Sequence, residues 1–257
     1  MLLKNKNAVI YGAGGSLGGA VARAFAKEGA RLFLAGRTMA PLELVAKDIL
    51  ASGGHAEVAI ADALDENAVK KYVDGIVKKA GSIDISFNAI GSEDLQGIPL
   101  YEMTVEDYMR PVTIGLQSQL ITAGAAAKHM IKNGSGVILS LTATPAGKAY
   151  ALTGGFGPLC SAMEAFSRNL AAELGPKGVR VVCMRSAGSP DSAVFKEALQ
   201  QKKVLAKTRI NEIENDTMLK RLPLMHEIAS AAVFLVSDMA SGMTGTTANI
   251  TCGTTMD

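Results

Sequence analysis

Short apolar runs alternate along the chain with longer segments in which apolar residues recur at helical spacing. The apolar runs fall at residues 7–11, 31–35, 57–60, 83–87, 137–141 and 179–184, and a closing strand is expected at 246–251. The helical segments fall at 16–28, 42–50, 65–79, 104–131, 156–175 and 227–237. Short strands that alternate with helices are typical of a parallel sheet covered on both faces. The pattern predicts an α/β fold, a Rossmann-like doubly wound parallel sheet of about seven strands with helices on both faces.

Polar residues and one proline refine the expected helix boundaries. Asp65 and Glu66 are expected in the first turn of their helix, where carboxylates suit the positive end of the helix dipole. Thr104 is expected to cap the long helix that follows. Pro111 lacks an N–H group, so it is expected near a kink or near the start of that helix.

A glycine-rich turn joins the first apolar run to the first helical segment. Gly12, Gly14 and Gly18 follow the pattern G-x-G-x-x-x-G, one residue longer before the last glycine than the usual dinucleotide-binding fingerprint. The N–H groups at Ser16, Leu17 and Gly18 would open the helix and face an anion, with the Ser16 hydroxyl as a further donor. The turn therefore favours a bound phosphate. The alternative is an ordinary βα turn without a ligand.

No linker divides the sequence, so the whole of residues 1–257 is expected to be a single dinucleotide-binding domain. Within it, residues 192–221 are charged and helical in pattern. We expect the segment 190–221 to form a mobile helical cover over the substrate site.

Arg37 follows the second apolar run, where NAD-binding folds commonly carry an acidic residue for the ribose 2′-hydroxyl. A guanidinium at this point can pair with a 2′-phosphate in a charge-assisted contact. NADP is therefore favoured over NAD as the cofactor. The alternative is a solvated loop arginine.

Charge and composition exclude several classes of function. The formal net charge is +2, without the basic patch expected of a nucleic-acid binder. No apolar run is long enough to span a membrane, and the chain shows no signal-peptide pattern. The isolated Cys160, Cys183 and Cys252 suit a reducing cytoplasm, and the dispersed histidines lack metal-ligand spacing. We expect a cytoplasmic protein that has neither a metal site nor nucleic acid or membrane as its partner.

The order of these features resembles the short-chain dehydrogenase/reductase family over nearly the whole chain. The segments that carry the resemblance are Ala61-Asp62, Phe87-Asn88-Ala89-Ile90-Gly91 and the closing stretch from Arg221 to Gly245. The resemblance implies that Asp62 contacts the adenine amino group and that Asn88, Ala89 and Gly91 lie against the cofactor. It also implies a small-molecule substrate and a homotetramer or homodimer. The alternative is that Asp62 only caps the next turn and Asn88 only satisfies buried backbone groups.

The catalytic residues of that family are substituted here. The family uses a tyrosine followed four residues later by a lysine, and none of the five tyrosines in this chain has that partner. Matching the flanking segments places Phe156 at the tyrosine position and Cys160 at the lysine position. Thr142 stands for the family's serine. The asparagine position falls at Gly115, although an offset of two residues would select Thr113.

Lys148 and Tyr150 could compensate, because their loop follows the fifth apolar run and rims the site in this fold. Tyr150 would donate the proton, Lys148 would be the nearby cation, and Thr142 would polarise the substrate. The alternative places both loop residues in solvent. Cys160 is disfavoured as a nucleophile, because no base accompanies it.

Three functions follow from these residues. The first is an NADP(H)-dependent oxidoreductase of atypical mechanism that acts on a small carbonyl compound or an activated C=C bond. The second is a catalytically inactive NADP-binding protein that serves as a sensor or partner subunit. The third is a purely structural role in a mixed oligomer. The first is favoured, because the cofactor-side residues keep the family pattern better than the catalytic ones.

Overall fold

The computed structural model of the protein describes residues 1–193, 195–197 and 211–256. The strands are β1 (Asn7–Tyr11), β2 (Arg31–Gly36), β3 (His55–Ile60), β4 (Ile85–Asn88), β5 (Gly136–Ala143), β6 (Val179–Ser186) and β7 (Thr246–Ile250). The main helices are α1 (Ser16–Lys27), α2 (Met39–Ala51), α3 (Glu66–Ala80), α4 (Val105–Asn133), α5 (Phe156–Leu174) and α6 (Met225–Val236). The predicted alternation of strands and helices is therefore confirmed.

All seven strands form one parallel sheet in the order β3-β2-β1-β4-β5-β6-β7. The strand order reverses between β1 and β4, so the connections from these two strands leave to opposite sides and open a crevice at their carboxyl ends. Ligands of doubly wound sheets bind in such a crevice. The residues that follow β1, β2, β4 and β5 are therefore the expected ligand-binding residues.

Two apolar layers hold the helices on the sheet. One layer packs α1, α2 and α6 against one face, with Phe25 and Ile49 completely or almost completely buried. The other packs α3, α4 and α5 against the opposite face, around Val73 and Met130. Because both faces are covered, the strands consist of nearly continuous apolar residues rather than alternating ones.

The helix boundaries differ from the expected ones in two places. Asp65 is the N-cap of α3 rather than part of its first turn, and its side chain accepts a hydrogen bond from the Ala68 N–H group. Pro111 lies inside α4, neither at its start nor in a break between helices. Thr104 caps α4 as expected, accepting a hydrogen bond from the Asp107 N–H group.

The predicted cover over residues 190–221 is only partly described, because residue 194 and residues 198–210 lie outside the described part of the chain. The described ends of this segment contact the body of the protein. The Ala193 N–H group donates to the Ser16 hydroxyl, and Asp216 pairs with Lys148. None of the described helices is both long and apolar enough to cross a lipid bilayer.

Candidate functional site

Two adjacent cavities lie at the carboxyl ends of the central strands. The first, of about 230 Å³, is lined by Tyr11, Gly12, Gly15, Gly36, Arg37, Ala61, Asp62, Ala63, Leu64, Ala89, Ile90, Gly91, Glu93 and Ile114. The second, of about 120 Å³, is lined by Asn88, Ile90, Ser92, Gly115, Ser118, Gln119, Leu141, Thr142, Ala143, Phe156, Leu159, Cys160 and Met163. Ile90 borders both cavities. A ligand that fills the first can therefore reach the edge of the second.

The glycine-rich turn packs backbone against backbone at the floor of the first cavity. Gly12 has a φ of +72°, and a Cβ atom there would lie 2.6 Å from the Ala89 carbonyl oxygen. A Cβ atom at Gly18 would lie 2.3 Å from the Gly12 carbonyl oxygen, and one at Gly14 would lie 2.8 Å from the Pro41 Cβ. A side chain at any of these three glycines would collide with neighbouring backbone or with Pro41, so the close packing of the turn requires glycine there.

Ser16 and Leu17 open α1 beside this turn without lining the cavity themselves. The Ser16 hydroxyl oxygen accepts a hydrogen bond of 3.0 Å from the Ala193 N–H group, so its proton remains available to an anion. Leu17 packs its side chain toward the core, leaving its N–H group as its contribution to the helix N-terminus. Gly14 and Gly18 also lie outside the lining, and their role in this structure is to let the turn close.

The charged residues of the first cavity lie at the ends of β2, β3 and β4. The Arg37 guanidinium pairs with the Glu93 carboxylate at 3.0 Å, and both side chains are at least half exposed. Asp62 accepts a hydrogen bond of 3.0 Å from the Leu64 N–H group, the turn-capping role that the alternative interpretation gave it. Arg37 and Asp62 thus line the same cavity. Glu93 was not predicted.

Asn88 anchors the end of β4 beneath both cavities. Its side-chain amide donates to the Ser118 and Thr122 hydroxyls, each at 3.2 Å, and its carbonyl oxygen accepts from the Ile90 N–H group at 3.0 Å. Ala89 is held in turn by a bond from its N–H group to the Tyr11 carbonyl oxygen. Asn88 therefore fixes the backbone that both cavities share.

The second cavity brings together residues of α5 and β5 that the resemblance was expected to place at the family's catalytic positions. Phe156 and Cys160 both face it, and the Thr142 hydroxyl donates to the Cys160 carbonyl oxygen at 3.0 Å. Burial raises the pKa of the Cys160 thiol to about 11, so the thiol stays protonated near neutral pH. No other described lining residue carries a titratable side chain.

Gly115 lies on α4 where the resemblance places an asparagine. Here a Cβ atom would lie 2.4 Å from the Leu159 Cδ1 atom, so the leucine side chain fills the space that an asparagine would need. Thr113, the other candidate for this position, is exposed and does not line the cavity.

Lys148 and Tyr150 lie together but not in the second cavity. The Lys148 ammonium is 5.8 Å from the centre of the Tyr150 ring and bonds to the Asp216 carboxylate. That bond raises the Lys148 pKa above its ordinary value. Neither residue lines the second cavity, so in this conformation Tyr150 does not face the space beside Thr142.

Sequence reasoning also missed two buried polar pairs around the second cavity. Gln119 donates to the Ser140 hydroxyl at 2.9 Å. Glu164, one turn beyond Cys160, holds Arg185 of β6 in a bidentate ion pair with both contacts at 2.8 Å. A polar residue at a core-facing position of a helix or strand was the available signal, but such a residue does not identify its partner.

Comparisons with known proteins identify the family of the chain. A family model described as Enoyl-(Acyl carrier protein) reductase matches residues 12–255. The uncharacterized oxidoreductase YxbG of Bacillus subtilis (strain 168) is 31% identical over 95% of this chain and 88% of its own. The 7alpha-hydroxysteroid dehydrogenase of Escherichia coli (strain K12) is 29% identical over 95% of this chain and 91% of its own.

The fold is shared with solved structures of the same kind. The structure of NAD⁺-bound xylitol dehydrogenase superposes with a TM-score of 0.92 at 23% identity, covering 98% of this chain and all of that one. The family match spans the glycine-rich turn, both cavities and the closing strand. This chain therefore belongs to the short-chain dehydrogenase/reductase family of oxidoreductases.

Proposed function

We propose that this chain is an NADP(H)-dependent oxidoreductase of atypical mechanism, which reduces or oxidises a small carbonyl compound or an activated C=C bond. The observation that carries the proposal is the pair of adjoining cavities. One is built around a glycine-rich turn and Arg37, and the other is a small apolar chamber that begins where the first ends, at Ile90.

The residues of the first cavity fit a dinucleotide. Gly12 and Gly15 line the cavity without side chains, and the N-terminus of α1 would offer N–H groups to a pyrophosphate. Arg37 would hold the 2′-phosphate and Asp62 the adenine amino group. The chemistry that such a dinucleotide would supply is hydride transfer to or from a substrate. Asn88 keeps the border with the second cavity in place through its three hydrogen bonds.

The second cavity favours a small, uncharged substrate. Its lining includes no charged side chain among the described residues, so a carboxylate or phosphate group would be buried there without a counter-ion. Thr142 would have to release the Cys160 carbonyl before it could donate to a substrate oxygen. Reduction of an activated C=C bond suits this site best, because the hydride goes to carbon and the proton can follow from solvent.

A second candidate is an NADP-binding protein that does not turn over. Cys160 is the one titratable side chain among the described lining residues of the second cavity, and its raised pKa leaves it a poor acid or base at neutral pH. A site without a proton donor could retain cofactor binding and lose catalysis. In this case the chain would act as a sensor or as one subunit of an assembly.

Calorimetry and isotope transfer distinguish the two candidates. NADPH and NADH are first titrated into the protein, and Arg37→Gln is expected to weaken NADPH binding while sparing NADH. Arg23→Gln removes a similarly exposed guanidinium from α1, outside the cavities, and serves as the matched control. NADPH deuterated at C4 is then incubated with ketones, quinones and enones, and the products are examined by mass spectrometry.

Each outcome has a clear meaning. Transfer of deuterium to carbon of an enone supports the oxidoreductase. Tight NADPH binding without transfer to any compound supports the non-catalytic protein. If neither NADPH nor NADH binds, both proposals are overturned.

We also propose, from the family resemblance, that the chain forms a homodimer or homotetramer and that the segment 190–221 covers the substrate. Apolar side chains on α4 are exposed in the single chain, among them Val105 at 79% and Leu120 at 61%. Sedimentation velocity tests the assembly, and a monomer at micromolar concentration would contradict it.

A further inference from the structure

In the first cavity a carboxylate already occupies the Arg37 guanidinium, which is proposed to bind the 2′-phosphate of NADP(H). Glu93 lies in the loop after β4, and its carboxylate oxygen is 3.0 Å from the Arg37 guanidinium. Both side chains line the cavity. A 2′-phosphate that reaches Arg37 must therefore displace Glu93 or lie beside its negative charge.

The charge balance of the cavity makes this competition unfavourable to a phosphate. Among the described lining residues, Arg37 is the cation, while Asp62 and Glu93 are carboxylates. A carboxylate at this distance neutralises much of the guanidinium's attraction for a second anion. NAD has a hydroxyl group in place of that phosphate, and it can bind while the Arg37–Glu93 pair stays closed.

The loop holds Glu93 at this position. Glu93 has a φ of +54°, a conformation that residues other than glycine seldom adopt. Its neighbour Asp94 accepts hydrogen bonds from Ser92 at 2.7 Å and from Gln96 at 2.6 Å. The Gly97 N–H group donates to the Leu152 carbonyl oxygen at 2.8 Å. These bonds hold the loop on both sides of the glutamate, and Glu93 lies beside Arg37 on this held loop.

We infer that Glu93 is a specificity-determining residue, which lowers the affinity for NADP(H) relative to NAD(H) by competing for Arg37. The inference rests on the proposed function, because it assumes that a pyridine dinucleotide fills the first cavity. It predicts that the chain prefers NADP(H) over NAD(H) less strongly than it would if Arg37 had no carboxylate partner. It also assigns a role to a loop whose residue Ser92 borders the second cavity.

The test is a double-mutant cycle read by calorimetry with NADPH and NADH as the probes. Glu93→Gln is expected to tighten NADPH binding by about fivefold or more, since an exposed ion pair and one unit of repulsion are both removed. The affinity for NADH is expected not to rise. In the background of Arg37→Gln, the change at Glu93 is expected to have no effect beyond about twofold, because the competition needs the guanidinium.

Glu173→Gln is the matched control, because it removes one exposed carboxylate from α5 outside both cavities and changes the net charge equally. A gain in that control equal to the gain at Glu93 would show a general charge effect and overturn the inference. Unchanged or weaker NADPH binding by Glu93→Gln would also overturn it, as would equal tightening for both nucleotides. If wild-type protein binds NADPH and Arg37→Gln weakens that binding, these results leave the proposed function standing. If neither nucleotide binds wild type, both fail.

Discussion

The buried ion pair between Glu164 and Arg185 makes a strong prediction about stability. The two side chains are 8% and 3% exposed, and two parallel contacts of 2.8 Å join them. Arg185 also donates to the Thr255 hydroxyl at 3.2 Å, so the pair links α5 and β6 to the C-terminal segment. Glu164→Ala removes the carboxylate that compensates a buried guanidinium.

The size of the expected loss in the free energy of unfolding depends on the burial of the pair rather than on its contact distance. Two unit charges about 4 Å apart attract by about 4 kcal/mol at an effective dielectric constant near 20. Breaking a buried pair by truncating one partner typically costs about 3–5 kcal/mol, since the remaining charge stays desolvated. We therefore expect Glu164→Ala to lower the free energy of unfolding by about 3–5 kcal/mol. Replacing Glu164 by Leu and Arg185 by Met together should cost far less than this single change.

Urea denaturation followed by circular dichroism measures these differences, provided that the m-value stays constant. Asp48→Ala is the matched control, because it breaks the Arg23–Asp48 pair, which is closer at 2.6 Å but about half exposed. That control should lose no more than about 1 kcal/mol. A loss below about 1 kcal/mol for Glu164→Ala, or a double variant as unstable as the single one, would refute the reasoning from burial.

Three further predictions concern the turn, a helix cap and the proposed donor. Gly12→Ala should abolish NADPH binding in calorimetry, because the added Cβ atom would meet the Ala89 carbonyl oxygen at 2.6 Å at a φ of +72°. The Arg221 guanidinium lowers the pKa of the Glu227 carboxyl to about 2. The contribution of this ion pair to stability is therefore present above the ordinary glutamate pKa of 4.5 and is lost as the pH falls toward 2. Glu227→Gln should accordingly lower the Tm at pH 7 but not at pH 2. Tyr150→Phe should leave the rate of NADPH oxidation within about twofold, because Tyr150 lies outside the second cavity, whereas a loss of about 100-fold would identify Tyr150 as the proton donor.

The fold was predictable because its signals are local. Most strands are short apolar runs, and glycines after the first run indicate the turn that follows β1. The boundaries were less accurate where a distant group decides them. The strand expected from residue 83 begins at Ile85. The residue before it, Asp84, accepts a hydrogen bond of 2.7 Å from the Asn7 N–H group of β1 through its carboxylate. Such a contact joins residues 77 positions apart and leaves no local pattern.

The same limit explains what was missed in the site. The sequence placed Arg37 and Asp62 correctly at strand ends, because parallel strands bring their carboxyl ends to one edge. It could not pair Arg37 with Glu93, which is 56 residues away on a loop without periodicity. Nor could it show that Lys148 and Tyr150 lie outside the lining of the second cavity, since a loop's direction depends on what it contacts.

If Phe156, Cys160 and Gly115 stand at the family's catalytic positions, as the resemblance predicts, their surroundings bear on what the second cavity can do. Leu159 fills the space beside Gly115, and the Cys160 carbonyl oxygen takes the Thr142 proton. Restoring the family pair with Phe156→Tyr and Cys160→Lys would bury an ammonium where the native side chain is 2% exposed, and Leu159 would still block the asparagine position. Two substitutions are therefore insufficient to recreate the family's proton relay. The cavity is packed as an apolar chamber, which is the arrangement expected if protonation occurs from solvent or not at all.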